Sequence, residues 1–267
     1  MTKHRLLSLP RAAWRRALVS GAWAFALAAG TSTAAGLNDT GVTTCADAAG
    51  ATISCTALTA VQGQDARYGR DAAAGTSALT KVGGGANGFD FTKISNAGAV
   101  LPATAVLGSN PGDWGCTFDN TTGLMWEVKT TSGLRASGQT YTWFSSNSAT
   151  NGGATGTANG GSCSTSATTG RCDTEKFVQD VNATNMCGHS DWRMPTYREL
   201  QGLVHLGVYP LIDGAYFPNT VPNGVWSGSP RAGDSTYAWI VSFANVYAGN
   251  WEFRSLGSRV RLVRGGQ

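Results

Sequence analysis

The chain has 267 residues with a formal net charge of +4; only 13% of residues are charged and 36 are glycine. That length allows one large domain or a domain with an arm, and sparse charge with abundant glycine suits an exported, β-rich protein with long loops. Removing residues 1–35 leaves 15 basic against 16 acidic residues, which excludes the strongly basic face that nucleic-acid binding requires.

Residues 1–35 read as a secretory signal. Lys3, Arg5, Arg11, Arg15 and Arg16 make a positive start, residues 17–29 are apolar, and small residues fill 31–35. Ser32/Ala34 and Thr33/Ala35 meet the small-residue requirement of a signal peptidase, so the mature chain is expected to begin at Ala35 or Gly36. The apolar run falls short of the ~20 residues needed to span a bilayer. The mature protein is therefore expected to have no membrane span and to work in the periplasm, at the cell surface or outside the cell.

Residues 36–110 contain no tryptophan and many small residues, and read as an N-terminal arm or small subdomain with short strands, such as residues 88–94. Residues 111–267 hold Trp114, Trp126, Trp143, Trp192, Trp226, Trp239 and Trp251. There a turn at 119–123 leads into a strand over 123–129, and residues 145–172 form a long Ser/Thr/Asn/Gly-rich loop. Asp173 caps a predicted helix running to Met186, with Phe177, Val178 and Val181 on its buried stripe, and Cys187-Gly188 ends it. Thr196 and Glu199 form a capping box for a second helix with Leu200, Leu203 and Val204 inward. Strands follow at 224–228, 237–243 and 259–264. In 237–243, Tyr237, Trp239, Val241 and Phe243 share one apolar face; in 259–264, Val260, Leu262 and Arg264 oppose Arg259, Arg261 and Val263. This order predicts an α+β fold with two helices and a mainly antiparallel sheet.

Six cysteines, Cys45, Cys55, Cys116, Cys163, Cys172 and Cys187, are an even set in an oxidising compartment, so three disulfides are expected. Six cysteines allow fifteen connectivities; proximity favours Cys45–Cys55 and Cys163–Cys172, leaving Cys116–Cys187. No pair has C-x-x-C spacing and only His189 and His205 offer imidazoles after residue 35, so neither metal nor cofactor is expected. His189 and His205 read as surface or internally satisfied histidines.

Several motifs resemble the Lcl C-terminal domain family, a bacterial domain named for a collagen-like adhesin. They are Cys116-Thr-Phe-Asp-Asn-Thr-Thr-Gly-Leu-Met-Trp-Glu127, Cys187-Gly-His-Ser-Asp-Trp-Arg-Met-Pro-Thr-Tyr-Arg-Glu-Leu200, Val225-Trp-Ser-Gly-Ser229, Tyr237-Ala-Trp239 and Val260-Arg-Leu-Val-Arg-Gly-Gly266. The resemblance spans residues 111–267 and implies a C-type-lectin-like fold, shared with lectins, sulfatase-modifying enzymes and the variable receptor proteins of diversity-generating retroelements. The chain has no Gly-X-Y repeat, so the adhesin's stalk, trimer and glycosaminoglycan binding are not carried over.

For Asp191 through Glu199 a structural reading suffices: Trp192 anchors the core, Pro195 sets the helix entry, and Thr196 and Glu199 cap it. Asp119, Asn120 and Thr121 read as an Asx turn, with a calcium site as the alternative. The ligand-binding candidates lie at 244–258: Tyr247, Asn250, Trp251, Phe253 and Arg254, residue types enriched at recognition surfaces. Residues 231–267 carry five Arg against Asp234 and Glu252, which favours an acidic glycan or protein surface. The competing reading places Trp251 and Phe253 in the core. The sequence thus points to an exported recognition or adhesion module for a glycan or surface-protein ligand, with no catalysis expected and the oligomeric state open. The alternatives are a structural envelope protein without a discrete ligand and, third, a thiol-dependent enzyme related to sulfatase-modifying factors.

Overall fold

The computed structural model describes residues 36–58, 63–163, 170–245 and 250–265. The proposed signal at 1–35 and the candidate Tyr247 lie outside the described residues. Two short strands, β1 (Cys45–Ala46) and β2 (Thr52–Ile53), pair as a hairpin tied by Cys45–Cys55, and helix α1 (Gly69–Gly75) follows. The α+β class holds, with α1 a third helix that the sequence pattern did not announce.

Strands β3 (Phe91–Ser95), β4 (Val100–Leu101), β5 (Trp114–Asp119) and β6 (Leu124–Glu127) form an antiparallel sheet. β3 comes from the segment before residue 111, yet it pairs with both β4 and β5 inside this sheet. The same segment reaches the far side of the fold, where Leu206 N–H donates to Thr40 O at 2.8 Å. Gly41 sits there at φ +79°, and a Cβ on it would come within 2.3 Å of the His205 ring. Only glycine meets both demands.

Side chains of the sheet alternate into two separate cores. Ile94, Cys116 and Met125 join Tyr141, Phe177, Trp192 and Trp226 on one face; Phe91, Leu124 and Trp126 join Leu200, Phe217, Val241 and Phe243 on the other. Both faces are covered, so all four residues of β6 are buried, Glu127 included. Its carboxylate lies 2.7 Å from Lys129 Nζ and accepts the Leu262 N–H at 2.9 Å. Arg261, also buried, donates to Glu127 O and Thr220 Oγ1. Burial pulls Arg261 down to about 10 and lowers Lys129, while Glu127 raises both.

Helix α2 (Thr174–Ala183) starts as expected, with the Asp173 carboxylate accepting the Lys176 N–H at 2.9 Å and Phe177 and Val181 fully buried. It stops three residues short of Met186, because Asn185 and Cys187 both take φ +52°, which no right-handed helix accommodates. Helix α3 (Tyr197–Gln201) forms the expected capping box between Thr196 and Glu199, then turns off at Gly202. Disulfides Cys163–Cys172 and Cys116–Cys187 complete the pairing that proximity favoured; the latter ties β5 to the turn after α2.

Strands β7 (Gly224–Pro230), β8 (Tyr237–Ser242) and β9 (Asn250–Phe253) make a second antiparallel sheet in that order. The expected strand at 259–264 shrinks to β10 (Val263–Arg264), which pairs with β6 across the fold, so β8 turns back on β9 instead. Residues 260–263 run between the two cores and are all buried, so the alternation in sequence, with Arg261 on an open face, does not survive. No helix among the described residues is long and apolar enough to cross a membrane.

Candidate functional site

The pairing of β8 with β9 sets Trp239 opposite Trp251 and Tyr237 opposite Phe253. Directly opposed residues in an antiparallel pair share a face, so four aromatic side chains form one ladder. Trp239 and Trp251 meet edge to face at 5.4 Å, and Tyr237 and Phe253 tilt together at 4.3 Å. Tyr197, from the first turn of α3, extends the row at 5.0 Å from Trp239. Arg231 lays its guanidinium 4.2 Å from the Trp251 ring and 5.3 Å from Tyr237. Trp251 is 44% exposed and Phe253 47%, so neither fills the core.

The ladder is open because its cover is short. Val241 and Phe243, on the same face of β8, are buried against Leu200 and Leu203. Helix α3 ends at Gln201, and its Tyr197 reaches Trp239, which stays half-buried with Tyr237. Tyr197 is itself fixed. Its N–H donates to Ser229 Oγ, and its hydroxyl accepts from Gln201 Nε2 at 2.7 Å. Arg193 forks onto Glu199 at 2.7 and 2.9 Å, holding the start of α3. Burial works against the Glu199 charge, but the Arg193 fork and the Thr196 N–H hold its carboxyl below the usual range.

A cleft of about 720 Å³ is lined in part by Thr196 and Pro230, which precede Tyr197 and Arg231 in the chain, and by Ser229, whose Oγ accepts the Tyr197 N–H. Phe144, Asn147 and Thr150 form its far wall.

The five sequence candidates divide. Asn250 and Trp251 are exposed on β9, as is Phe253. Arg254 is not part of this surface and must be corrected: it is 2% exposed, on the opposite side of the strand. Its guanidinium donates to Tyr237 O at 3.0 Å, Asn151 O at 3.0 Å and Ala154 O at 2.6 Å, and stacks 4.1 Å from the Trp143 ring. Arg254 therefore clamps the loop after Phe144 to the second sheet. The local positive charge is corrected with it. Arg261 is buried, Arg264 pairs with Asp191 at 2.7 Å, and Arg231 lies 3.7 Å from Asp234. Thr236's hydroxyl and N–H, then Arg231, hold Asp234 below its usual range. Arg254 and Arg261 are thus buried and Arg231 and Arg264 lie beside Asp234 and Asp191, while Arg259 is half-buried and has no carboxylate partner among the described residues.

The sequence reading missed Tyr197, Arg231, Tyr237 and Trp239. Alternation in 237–243 put Tyr237 and Trp239 on one face correctly, but where α3 stops covering that face is a tertiary fact. At the other proposed site, Asp119 Oδ1 accepts from Thr121 and Thr122 N–H and Oδ2 from Asn38. The Asx turn thus uses the carboxylate fully. Burial nonetheless pushes the Asp119 carboxyl up, against these hydrogen bonds.

No curated protein and no solved structure matches the chain. The Lcl C-terminal domain matches residues 115–264, a span that includes all of β5 but its first residue, β6, both capped helices and the whole second sheet. With more than half of its length in that match, the chain belongs to the Lcl C-terminal domain family.

Proposed function

We propose that this chain is an exported recognition module that binds a glycan on the aromatic ladder of β8 and β9. The observation that carries the reading is the exposure of Trp251 and Phe253 on rings already fixed by Trp239, Tyr237 and Arg231. Pre-ordered aromatic faces cost little entropy on binding and offer flat apolar platforms to the C–H faces of sugar rings. The cleft lined by Thr196, Ser229 and Pro230 would add hydroxyl and amide partners from Ser229, Thr150 and Asn147. With Arg254 and Arg261 buried and Arg231 and Arg264 beside carboxylates, the ladder offers aromatic faces more than charge, which favours a neutral glycan over an acidic one. Three disulfides support an oxidising address outside the cytoplasm. The C-type-lectin-like fold that the family resemblance implies would suit the same role, and binding rather than catalysis is the activity proposed.

A glycan array probed with the exported protein tests this reading. Trp251→Ala should weaken binding by roughly 30-fold, the worth of ~2 kcal/mol at one interface aromatic, with little change in melting temperature. Unchanged affinity in Trp251→Ala and Phe253→Ala would remove the ladder from the site. Capture of a protein ligand through the same residues, with no glycan bound, would replace the glycan by a protein surface. N-terminal sequencing of exported protein should begin at Ala35 or Gly36; an intact Met1 in the membrane fraction would contradict cleavage.

A further inference from the structure

A second cleft lies away from the ladder, beside the Cys116–Cys187 bridge. It encloses about 540 Å³, and Arg135 forms part of its wall with Ser109, Thr131, Ser132, Asn185 and Met186. Arg135 Nη1 makes all of that residue's side-chain hydrogen bonds among the described residues, to Gly115 O at 2.9 Å, Val128 O at 3.3 Å and Met186 Sδ at 3.3 Å. Nε and Nη2 bond nothing among the described residues, and neither is sealed from solvent. One edge of the guanidinium is thus anchored and the other is free.

No carboxylate pairs with Arg135 among the described residues. Glu127 is the acid that acts on it, but its two oxygens are taken by Lys129 and the Leu262 N–H. Arg135, Lys129 and Arg261 thus share one buried carboxylate, a local surplus of positive charge. Burial lowers the Arg135 pKa, the mark of a cation short of solvation. The hydroxyls of Ser109, Thr131 and Ser132 and the amide of Asn185 make no hydrogen bond to another described residue. Asn185 itself sits two residues from the Cys116–Cys187 bridge, with φ +52° at both Asn185 and Cys187.

We infer that this cleft binds the carboxylate of a small hydroxylated acid, of monosaccharide size, on the free Nε–Nη2 edge of Arg135. Two parallel N–H groups match a planar carboxylate, and a cleft of this volume suits a small ligand. The hydroxyl and amide groups of the wall then meet the hydroxyls of the acid. This site is independent of the aromatic ladder.

Titration of the exported protein with D-gluconate, sorbitol and sulfate, followed by calorimetry, tests the assignment. D-gluconate should bind saturably, sorbitol should not, and sulfate, which the fork can also hold but which carries no hydroxyls for the wall to meet, should bind about tenfold more weakly. Arg135→Lys keeps the charge but loses the fork and should weaken gluconate about tenfold. Thr131→Val with Ser132→Ala changes only exposed side chains and should weaken it several-fold in a fully folded protein; this pair decides the matter where Arg135→Lys fails to fold. Trp251→Ala should leave gluconate binding unchanged. The inference is overturned by absence of saturable gluconate binding, by equal binding of sulfate, or by wild-type affinity in the variant that combines Thr131→Val with Ser132→Ala.

Discussion

Replacing Arg254 by alanine separates the two roles that a chain-level reading merges. The side chain sits 2% exposed between the second sheet and the loop after Phe144. Its removal strips a charged donor from three carbonyl groups, those of Tyr237, Asn151 and Ala154, and a cation from the face of Trp143. Hydrogen bonds to a charged group contribute ~1.5–3 kcal/mol each and a desolvated cation–π contact ~2 kcal/mol. Against this stands the cost of keeping the guanidinium buried, part of which the mutation relieves, so the net loss is about 3–5 kcal/mol. For a domain of this size, 1 kcal/mol moves the melting temperature by about 2–4 °C, so a fall of roughly 6–20 °C is expected. Circular dichroism melts of wild type, Arg254→Ala, Arg254→Lys and Trp251→Ala provide the assay. Lysine cannot reproduce the fork and should recover only a part, whereas Trp251→Ala should melt within a few degrees of wild type. An Arg254→Ala protein that melts with wild type while losing ligand would refute the clamp and return Arg254 to the binding surface.

The Cys116–Cys187 bridge spans 71 residues, and opening it by Cys116→Ser with Cys187→Ser should cost about 4 kcal/mol on the loop-entropy model; equal urea midpoints with and without the bridge would contradict this. Glu127→Gln leaves the buried Lys129 ammonium unpaired and should cost ~3–5 kcal/mol, while Glu127→Gln with Lys129→Met should recover most of it; additive losses in urea unfolding would show that the two side chains act separately. His205 is buried, its Nδ1 accepts the Gly207 N–H at 3.0 Å, and burial lowers its pKa. The unfolded chain therefore binds the proton first, so this contribution is full above the unfolded pKa and is lost as pH falls toward the folded one. Wild type should lose more stability than His205→Gln between about pH 7 and pH 5, and parallel pH profiles would rule the group out.

What could be read along the chain was local. Asp173 and the Thr196/Glu199 pair announce their helices because capping is an exchange of hydrogen bonds within four residues. The nearby cysteines pair as expected because short loops close readily, and the remaining two are then left to each other. Helix length was less legible: the left-handed backbone at Asn185 and Cys187, which cuts α2 short, is held by a bridge to β5.

By itself, the sequence determined the α+β class, the caps and a row of aromatics near the C-terminus, since each depends on period, spacing or composition; it favoured the bridges by proximity, and the structure chose them among fifteen connectivities. Only the tertiary structure decided which of those aromatics face solvent and which arginines carry a free charge. Trp251 and Arg254 lie three residues apart in similar company, yet one is open and the other clamps a loop more than 90 residues upstream. That division follows from where α3 ends over β8 and from which loop crosses behind β9. Burial is set by what packs against a strand, and nothing in the strand's own residues records it.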